Sequence, residues 1–395
     1  MKTLGSYDYV IVGAGSAGCV LANRLSSDES KSVLLIEAGS KDNYFWIPIP
    51  VGYLFTINNP RTDWMYKTSH EKGLNDRSIG YARGKVLGGC TSINAMIYMR
   101  GQRSDYERWV GAGNPGWSWE EVLPYFKGME DYVHGANAHH GSGGELPVQE
   151  RRVSWEILDA WRDAAEEKGI PKIPEFNTGD NFGNAYFQVN QRNGTRWNAM
   201  RCFIKPIKNR KNLTILSDAH AEKLVFDDLE QETPKADGVQ VRVLGDMHGV
   251  IKAKQEVILS AGAIGSPQIL ELSGVGNAAH LEKSGIKVVK NIPGVGENLQ
   301  DHLQVRIQYK LKNTITLNDR YKTLWGKAMM GLEYLFFKSG PMTMPPSQLG
   351  AFAKSDPDQS SANIEWHVQP LSLEKFGEPL HDYPAVTPSV CNLRP

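Results

Sequence analysis

Gly13, Gly15 and Gly18 follow the apolar run Tyr9–Val12 with GxGxxG spacing, and Glu37 closes a second apolar run, Val33–Ile36. These residue types at this spacing suit a dinucleotide. Gly13 permits a tight turn, Gly15 lets the backbone approach a pyrophosphate, and Gly18 lets the following helix pack closely on the sheet. The first amides of that helix, at Ser16 and Ala17, then face the phosphates. Glu37, with Ala38 beside it, falls about 20 residues further on, where a carboxylate accepts both ribose hydroxyls and repels a 2′-phosphate. A glycine-rich turn can also serve packing alone, but here strand, helix and distal acid agree. The chemistry implied is retention of an ADP-containing hydride carrier, and NAD and FAD both meet this half of the motif.

Proton transfer needs other groups, and the histidines are the first to weigh. His302 follows Asp301 directly, and adjacent residues do not face each other on a strand or a helix, so an Asp–His dyad is not expected there. A structural or cofactor-side role suits it better. His367 lies in the alternating segment Ile364–Val368, which puts Glu365 and His367 on one face of a strand and Ile364, Trp366 and Val368 on the other. His134, His139 and His140 sit among Gly and Asn and read as a solvated loop. No carboxylate or cysteine recurs near them at ligand spacing. Cys19, Cys90, Cys202 and Cys391 form no CxxC pair, so the expectation is a reduced chain with no metal.

The elements that must position these residues follow from length and pattern. A chain of 395 residues exceeds one compact core and predicts two domains. Its 44 basic and 44 acidic side chains cancel, which gives no electrostatic case for nucleic acid or an anionic membrane surface. No run reaches the roughly 20 apolar residues of an integral membrane segment, and no apolar leader precedes the first strand. The expected location is the cytoplasm, with any membrane contact peripheral, at the inner membrane.

The segment 44–66 is rich in aromatics and prolines without periodicity; it reads as an ordered loop that covers an apolar group or packs on its own core. Residues 154–168 predict a helix with Trp155, Leu158, Trp161 and Ala165 on one face. Short runs at 213–216, 221–226, 239–243 and 256–260 predict strands, with 227–237 as an exposed turn. A second strand-to-helix junction is expected at Ala261–Pro267, with proline in the first turn.

Three further segments carry a resemblance. Arg83–Asn94 (RGKVLGGCTSIN) concentrates small residues and hydroxyls before an apolar run; Gly262–Gly276 (GAIGSPQILELSGVG) and Pro293–His302 (PGVGENLQDH) follow in order. With the first fingerprint they resemble the glucose-methanol-choline (GMC) family of FAD-dependent oxidoreductases, and the ending Ser389–Pro395 is most similar to the alcohol and choline dehydrogenase branch. The resemblance implies an α/β fold: a Rossmann-type FAD-binding domain (1–45, 80–153 and 205–310), a covering loop (46–79) and an interleaved α+β substrate domain (154–204 and 311–395). That substrate domain would be built on an antiparallel sheet beginning near Leu311.

The cofactor implied is FAD, non-covalent, because the position that bears a flavin-linked histidine in some members reads Ile93. Gly13, Gly15, Ser16, Ala17, Gly18, Glu37 and Ala38 would hold its ADP half. Arg83, Val86, Gly88, Gly89, Thr91, Asn94 and Ala95 would run along the ribityl chain and ring, with Ala221 near the adenine and Ala261 and Gly262 at the second junction. His367, Gln348 and Ala95 would line the substrate pocket. Choline-specific members place a glutamate where Gln348 stands, so a neutral amide implies an uncharged alcohol. The activity implied is oxidation of a primary alcohol to an aldehyde, with electrons passed to a quinone, another acceptor or oxygen. The family's catalytic histidine, with its His or Asn partner, would lie beyond Pro395, so the chain is expected to be a fragment without that base. A flavin-binding fragment without turnover, or a relative of the family's cyanohydrin lyases, is the alternative.

Overall fold

A computed structural model describes residues 2–228, 233–243, 247–374 and 378–394. The chain forms two compact units, each assembled from three segments: Met1–Tyr44, Thr56–Asn94 and Asn198–Gln300 make the first; Phe45–Phe55, Ala95–Trp197 and Asp301–Pro395 make the second. The division differs from the expected one. Residues 95–153 belong with the second unit, residues 198–204 with the first, and the expected covering loop 46–79 is shared between them at Thr56.

The first unit is built on a six-stranded sheet in the order 213–216, 33–36, 3–12, 247–259, 236–243, 219–226. The first four strands run parallel, and the last two extend the sheet antiparallel. Strand Val33–Ile36 is buried along its whole length, as a parallel strand covered on both faces must be. Its neighbours supply Val10, Val12, Ala219, Val239, Val241 and Ile251 to one core. Strand Met247–Leu259 starts nine residues before the apolar run that announces it, because its first half pairs as a hairpin arm whose outer face is polar. Part of the expected turn 227–237 lies outside the described residues. Helix Ser16–Leu25 is the crossover between the first two strands, and helix Gly262–Leu272 leaves the last parallel strand at the second junction.

The second unit carries an antiparallel sheet in the order 304–306, 385–392, 364–369, 349–353, 183–186, with 309–310 also paired to 385–392. It therefore begins at Gly183, far earlier than Leu311. One face bears Leu349, Val368 and Val386, which pack with Trp155, Leu158, Leu317 and Met330 from the helices beneath. Helix Glu156–Glu167 contributes Leu158 and Trp161 to this core, and its N-cap residue Trp155 joins them. The opposite face is mixed: Ala185 and Phe352 pack with Phe176 and Phe187, and the cross-strand pairs Gly350↔His367↔Ser389 and Phe352↔Glu365↔Cys391 place the polar groups beside them.

Candidate functional site

In the first unit, both strand-to-helix junctions open onto one cavity of about 400 Å³, lined by Gly13, Gly15–Ala17, Glu37–Ala38, Arg83–Gly84, Gly89–Cys90, Ala219–Ala221 and Ala261–Ser266. The local reasons are steric. Gly13 has φ +101°, and a Cβ there would sit 2.5 Å from the Ser260 carbonyl oxygen, so the turn admits only glycine. A Cβ on Gly18 would lie 1.9 Å from the Gly13 oxygen, which fixes helix against turn. A Cβ on Gly15 would meet no protein atom within 4 Å. Glycine at position 15 thus answers to no protein neighbour; it keeps open the space that a pyrophosphate would take.

Neither helix at this cavity has a side-chain cap. Gly15 and Ala261 stand at the two N-cap positions without a capping hydrogen bond. Uncapped first-turn amides that line a cavity are a site for an anion. Glu37 is buried at the tip of its strand; Oε2 accepts from the Ala14 amide at 2.9 Å and Oε1 from the Gly39 amide at 2.8 Å. Burial pushes its carboxyl above the ordinary value, against the pull of those amides. Each oxygen keeps a second lone pair for a hydroxyl donor. The donors and clearances fit an ADP-bearing cofactor.

The wall contains residues that the glycine pattern did not signal. His220 stands between Ala219 and Ala221 with its ring 5.8 Å from Trp64, edge-on; burial lowers its pKa, so the imidazole is neutral. Trp64 stacks on Tyr66 at 5.7 Å, and both line the cavity. These aromatics come from the segment read as a covering loop, and their fate could not be told from a run without periodicity.

The residues expected along the ribityl chain and ring divide. Arg83 and Gly89 line the cavity, with the guanidinium of Arg83 3.9 Å from the centroid of Tyr81. Gly89 lies against Gly15, 2.8 Å from its own hypothetical Cβ to Gly15 Cα. Val86 is fully buried, its carbonyl accepting from the Gly89 amide. The Gly88 amide donates to Ala14, and the Thr91 hydroxyl donates to the Gly88 carbonyl while accepting from Ala199. Val86, Gly88 and Thr91 therefore build the loop and are not in the cavity lining. Asn94 is exposed and closes the first unit, whereas Ala95 opens a segment of the second.

In the second unit, the mixed sheet face brings several predicted residues together. His367 Nε2 lies 2.8 Å from Glu365 Oε1, with the Phe187 ring 5.5 Å away. A Cβ on Gly350 would fall 2.1 Å from Phe187, so this ring covers the glycine. Gln348 is fully buried, and among the described residues neither its amide nitrogen nor its amide oxygen has a partner. The Gln369 carbonyl oxygen and Ser389 hydroxyl, both buried on the neighbouring strands, are also unpartnered. Buried amides left this way are rare and call for a ligand or water.

His302 makes no dyad with Asp301; Asp301 accepts from the His302 backbone amide, and the imidazole lies 3.8 Å from Glu365. Glu365, His302 and Cys391 bring three ligand-type atoms within 4.8 Å of one another, a grouping their separation in sequence hid. Burial, then Glu365, pushes the Cys391 thiol up to about 12.

The reading of 134–140 as solvated needs correction at His140. His134 is exposed, but His140 is fully buried, with Nδ1 3.0 Å from Glu130 Oε1, Nε2 hydrogen-bonded to Glu175 and the Tyr132 ring stacked on it at 3.9 Å. Arg100 completes the group, 3.0 Å from Glu130. The carboxylates come from Glu130 and Glu175, too distant in sequence for a local pattern to reveal.

Residues 7–304 match the profile of the family described as GMC oxidoreductase. The chain is 38% identical over 393 residues to an alcohol dehydrogenase [acceptor] of Pseudomonas putida, covering 98% of this chain and 70% of that protein. It is 39% identical over 378 residues to the mitochondrial choline dehydrogenase of Homo sapiens, covering 94% of this chain and 62% of the relative. An oxygen-dependent choline dehydrogenase of Photobacterium profundum is 37% identical and 66% covered. The chain thus spans about two thirds of the length of these relatives. Among solved structures, pyridoxine 4-oxidase from Mesorbium loti superposes with a TM-score of 0.85 at 29% identity, covering 98% of this chain and 72% of the other.

Proposed function

This chain belongs to the GMC oxidoreductase family, and on that premise we propose that it holds FAD non-covalently and serves the oxidation of an uncharged primary alcohol to an aldehyde. Bound FAD supplies a hydride acceptor at its N5. The chain's own part begins with the pyrophosphate, which the first-turn amides at Ser16 and Ala17 would receive, while Glu37 accepts from the ribose hydroxyls. The cavity wall at His220 and Ala221 would border the adenine.

On the substrate side, Gln348 carries the specificity argument. A buried amide with both polar ends unpartnered can donate to one oxygen and accept from one hydroxyl, but brings no charge to a quaternary ammonium. His367, held by Glu365, can position a substrate hydroxyl and hold a proton at Nε2 or Nδ1. Electrons leave to a quinone, another acceptor or oxygen.

The observation that carries this reading is the cavity with two uncapped helix starts and an open space at Gly15. The test is the visible spectrum of the purified chain before and after anaerobic addition of simple alcohols. Flavin bands that bleach with uncharged primary alcohols support the reading; persistent bands mean that flavin is bound without oxidation by this chain. Where turnover occurs, Gln348→Glu should move the kcat/KM ratio toward choline by about tenfold, the effect of roughly 1.4 kcal/mol.

A further inference from the structure

Helix Leu324–Phe337 is seated by a narrow strip. Met330 and Tyr334 are buried against the second unit's core, and Gly326 is so close to the Arg320 carbonyl that a Cβ would fall 2.1 Å from it. The rest is open: Leu324 is 86% exposed, Trp325 73%, Leu335 63%, Phe336 71% and Phe337 72%. At 3.6 residues per turn, Leu324, Leu335, Leu332, Trp325, Phe336 and Met329 fall in one arc of roughly 140°, opposite the strip that holds the helix down. No charged residue interrupts that arc. A contiguous exposed apolar surface of this kind marks an interaction site.

The charges lie at its margins and have one dominant sign. Arg320, Lys322 and Lys338 flank the helix, and Lys327 lies within it outside the apolar arc. Arg320 lies over the Trp155 ring, Lys327 over Tyr321 and Lys338 over Tyr334, while Lys322 donates to the Asp382 carbonyl. The two acids of this stretch are half-buried and engaged locally: Asp319 accepts from the Thr316 amide at the N-cap, and Glu333 accepts from the Ser339 hydroxyl. The chain's net charge of zero conceals this local excess.

We propose that helix Leu324–Phe337 is an interfacial helix that seats the protein on an anionic lipid bilayer. The apolar arc would enter the headgroup–acyl boundary, Trp325 would sit at the interface, and the flanking lysines would extend their stems along the apolar surface to reach lipid phosphates. At 1.5 Å per residue the helix is about 21 Å long, short of the roughly 30 Å hydrocarbon core, so it lies in the plane of the membrane. No helix among the described residues is long and apolar enough to cross one.

The test is co-sedimentation of the FAD-loaded chain with vesicles of phosphatidylcholine alone and of phosphatidylcholine with phosphatidylglycerol, beside sedimentation velocity without lipid. Binding should favour the anionic vesicles and weaken with salt. Phe336→Ser with Phe337→Ser should weaken it at least about tenfold on both kinds of vesicle. Lys322→Gln, Lys327→Gln and Lys338→Gln together should remove the preference for anionic lipid and leave the neutral binding. All these positions are exposed or half-buried, and far-UV circular dichroism checks that each variant is folded. Should the phenylalanine variant fail to fold, the lysine variant decides. Absence of vesicle binding overturns the proposal. So does binding unmoved by the substitutions, or lipid-free self-association that the phenylalanine pair abolishes, which would make the surface a contact between two copies.

Discussion

Gly15 and Gly18 occupy the same turn and should fail differently when enlarged. Gly15→Leu meets no protein atom at Cβ, so the cost is that of a poor N-cap residue, about 1 kcal/mol. The folded protein should nevertheless emerge without flavin, because the side chain fills the space of the pyrophosphate. A yellow, fully loaded Gly15→Leu chain would remove the cofactor from this cavity. Gly18→Ala drives a methyl to 1.9 Å from the Gly13 oxygen, and should lower stability by about 2 kcal/mol before any cofactor is considered. Thermal melts beside flavin absorbance of the two variants separate a residue that makes room for a ligand from one that makes room for a helix. Both roles were readable from spacing, since turn and packing glycines fall at fixed offsets from the strand. The neighbours that complete the wall were not: nothing in the types of Trp64, Tyr66 or His220 distinguishes an aromatic at a cavity from one in a core.

Between elements, the segments that meet at His140 have a pH signature. Burial opposes a charged imidazole most strongly, but hydrogen bonds to Glu130 and Glu175, with their charges, outweigh it and push His140 up to about 9. Glu130 and Glu175 are held below their ordinary value: burial raises each, and the bonds from His140, joined at Glu130 by the Gly141 amide and Arg100, overcome it. For a raised histidine the stabilisation is complete below its ordinary 6.5 and is lost as pH rises through about 9; for the lowered carboxylates it is present above 4.5 and lost as pH falls. Melting temperature should therefore plateau between about 4.5 and 6.5 and fall toward pH 9. A flat profile from 6.5 to 9 would mean that His140 is not the charged partner. The polar pair on the second sheet was legible, since period-two alternation placed Glu365 and His367 together and Trp366 opposite. The His140 group was not, because the carboxylates of Glu130 and Glu175 meet the imidazole only when the chain is folded.

At the scale of the molecule, each unit draws on three stretches of chain, and sequence order is a poor guide to membership. The alternation of motifs announced interleaving, but the boundary between Asn94 and Ala95 falls where the small-residue segment Arg83–Asn94 passes directly into an apolar run, with no linker composition to mark it. Cofactor binding should couple to the stability of the first unit, whose three stretches all reach the cavity. FAD at a hundredfold excess over its Kd adds about 2.7 kcal/mol if it binds only the folded form. Melting curves across a series of FAD concentrations measure this; a melting temperature independent of FAD would place the flavin elsewhere. Adenosine, AMP and ADP in the same assay grade the effect by phosphate charge.

That grading follows from the two uncapped helices. Each N-terminus acts as roughly half a positive elementary charge, and the fold brings two of them, at Gly15 and at Ala261, to one cavity with no acid side chain capping either. Like charges held near each other in a partly enclosed space repel, and the sheet that fixes both junctions prevents them from moving apart. An anion turns that repulsion into a shared attraction, so each added phosphate should stabilise the unit by more than its hydrogen bonds alone would give. The diphosphate of the cofactor is in this sense a counterion of the fold.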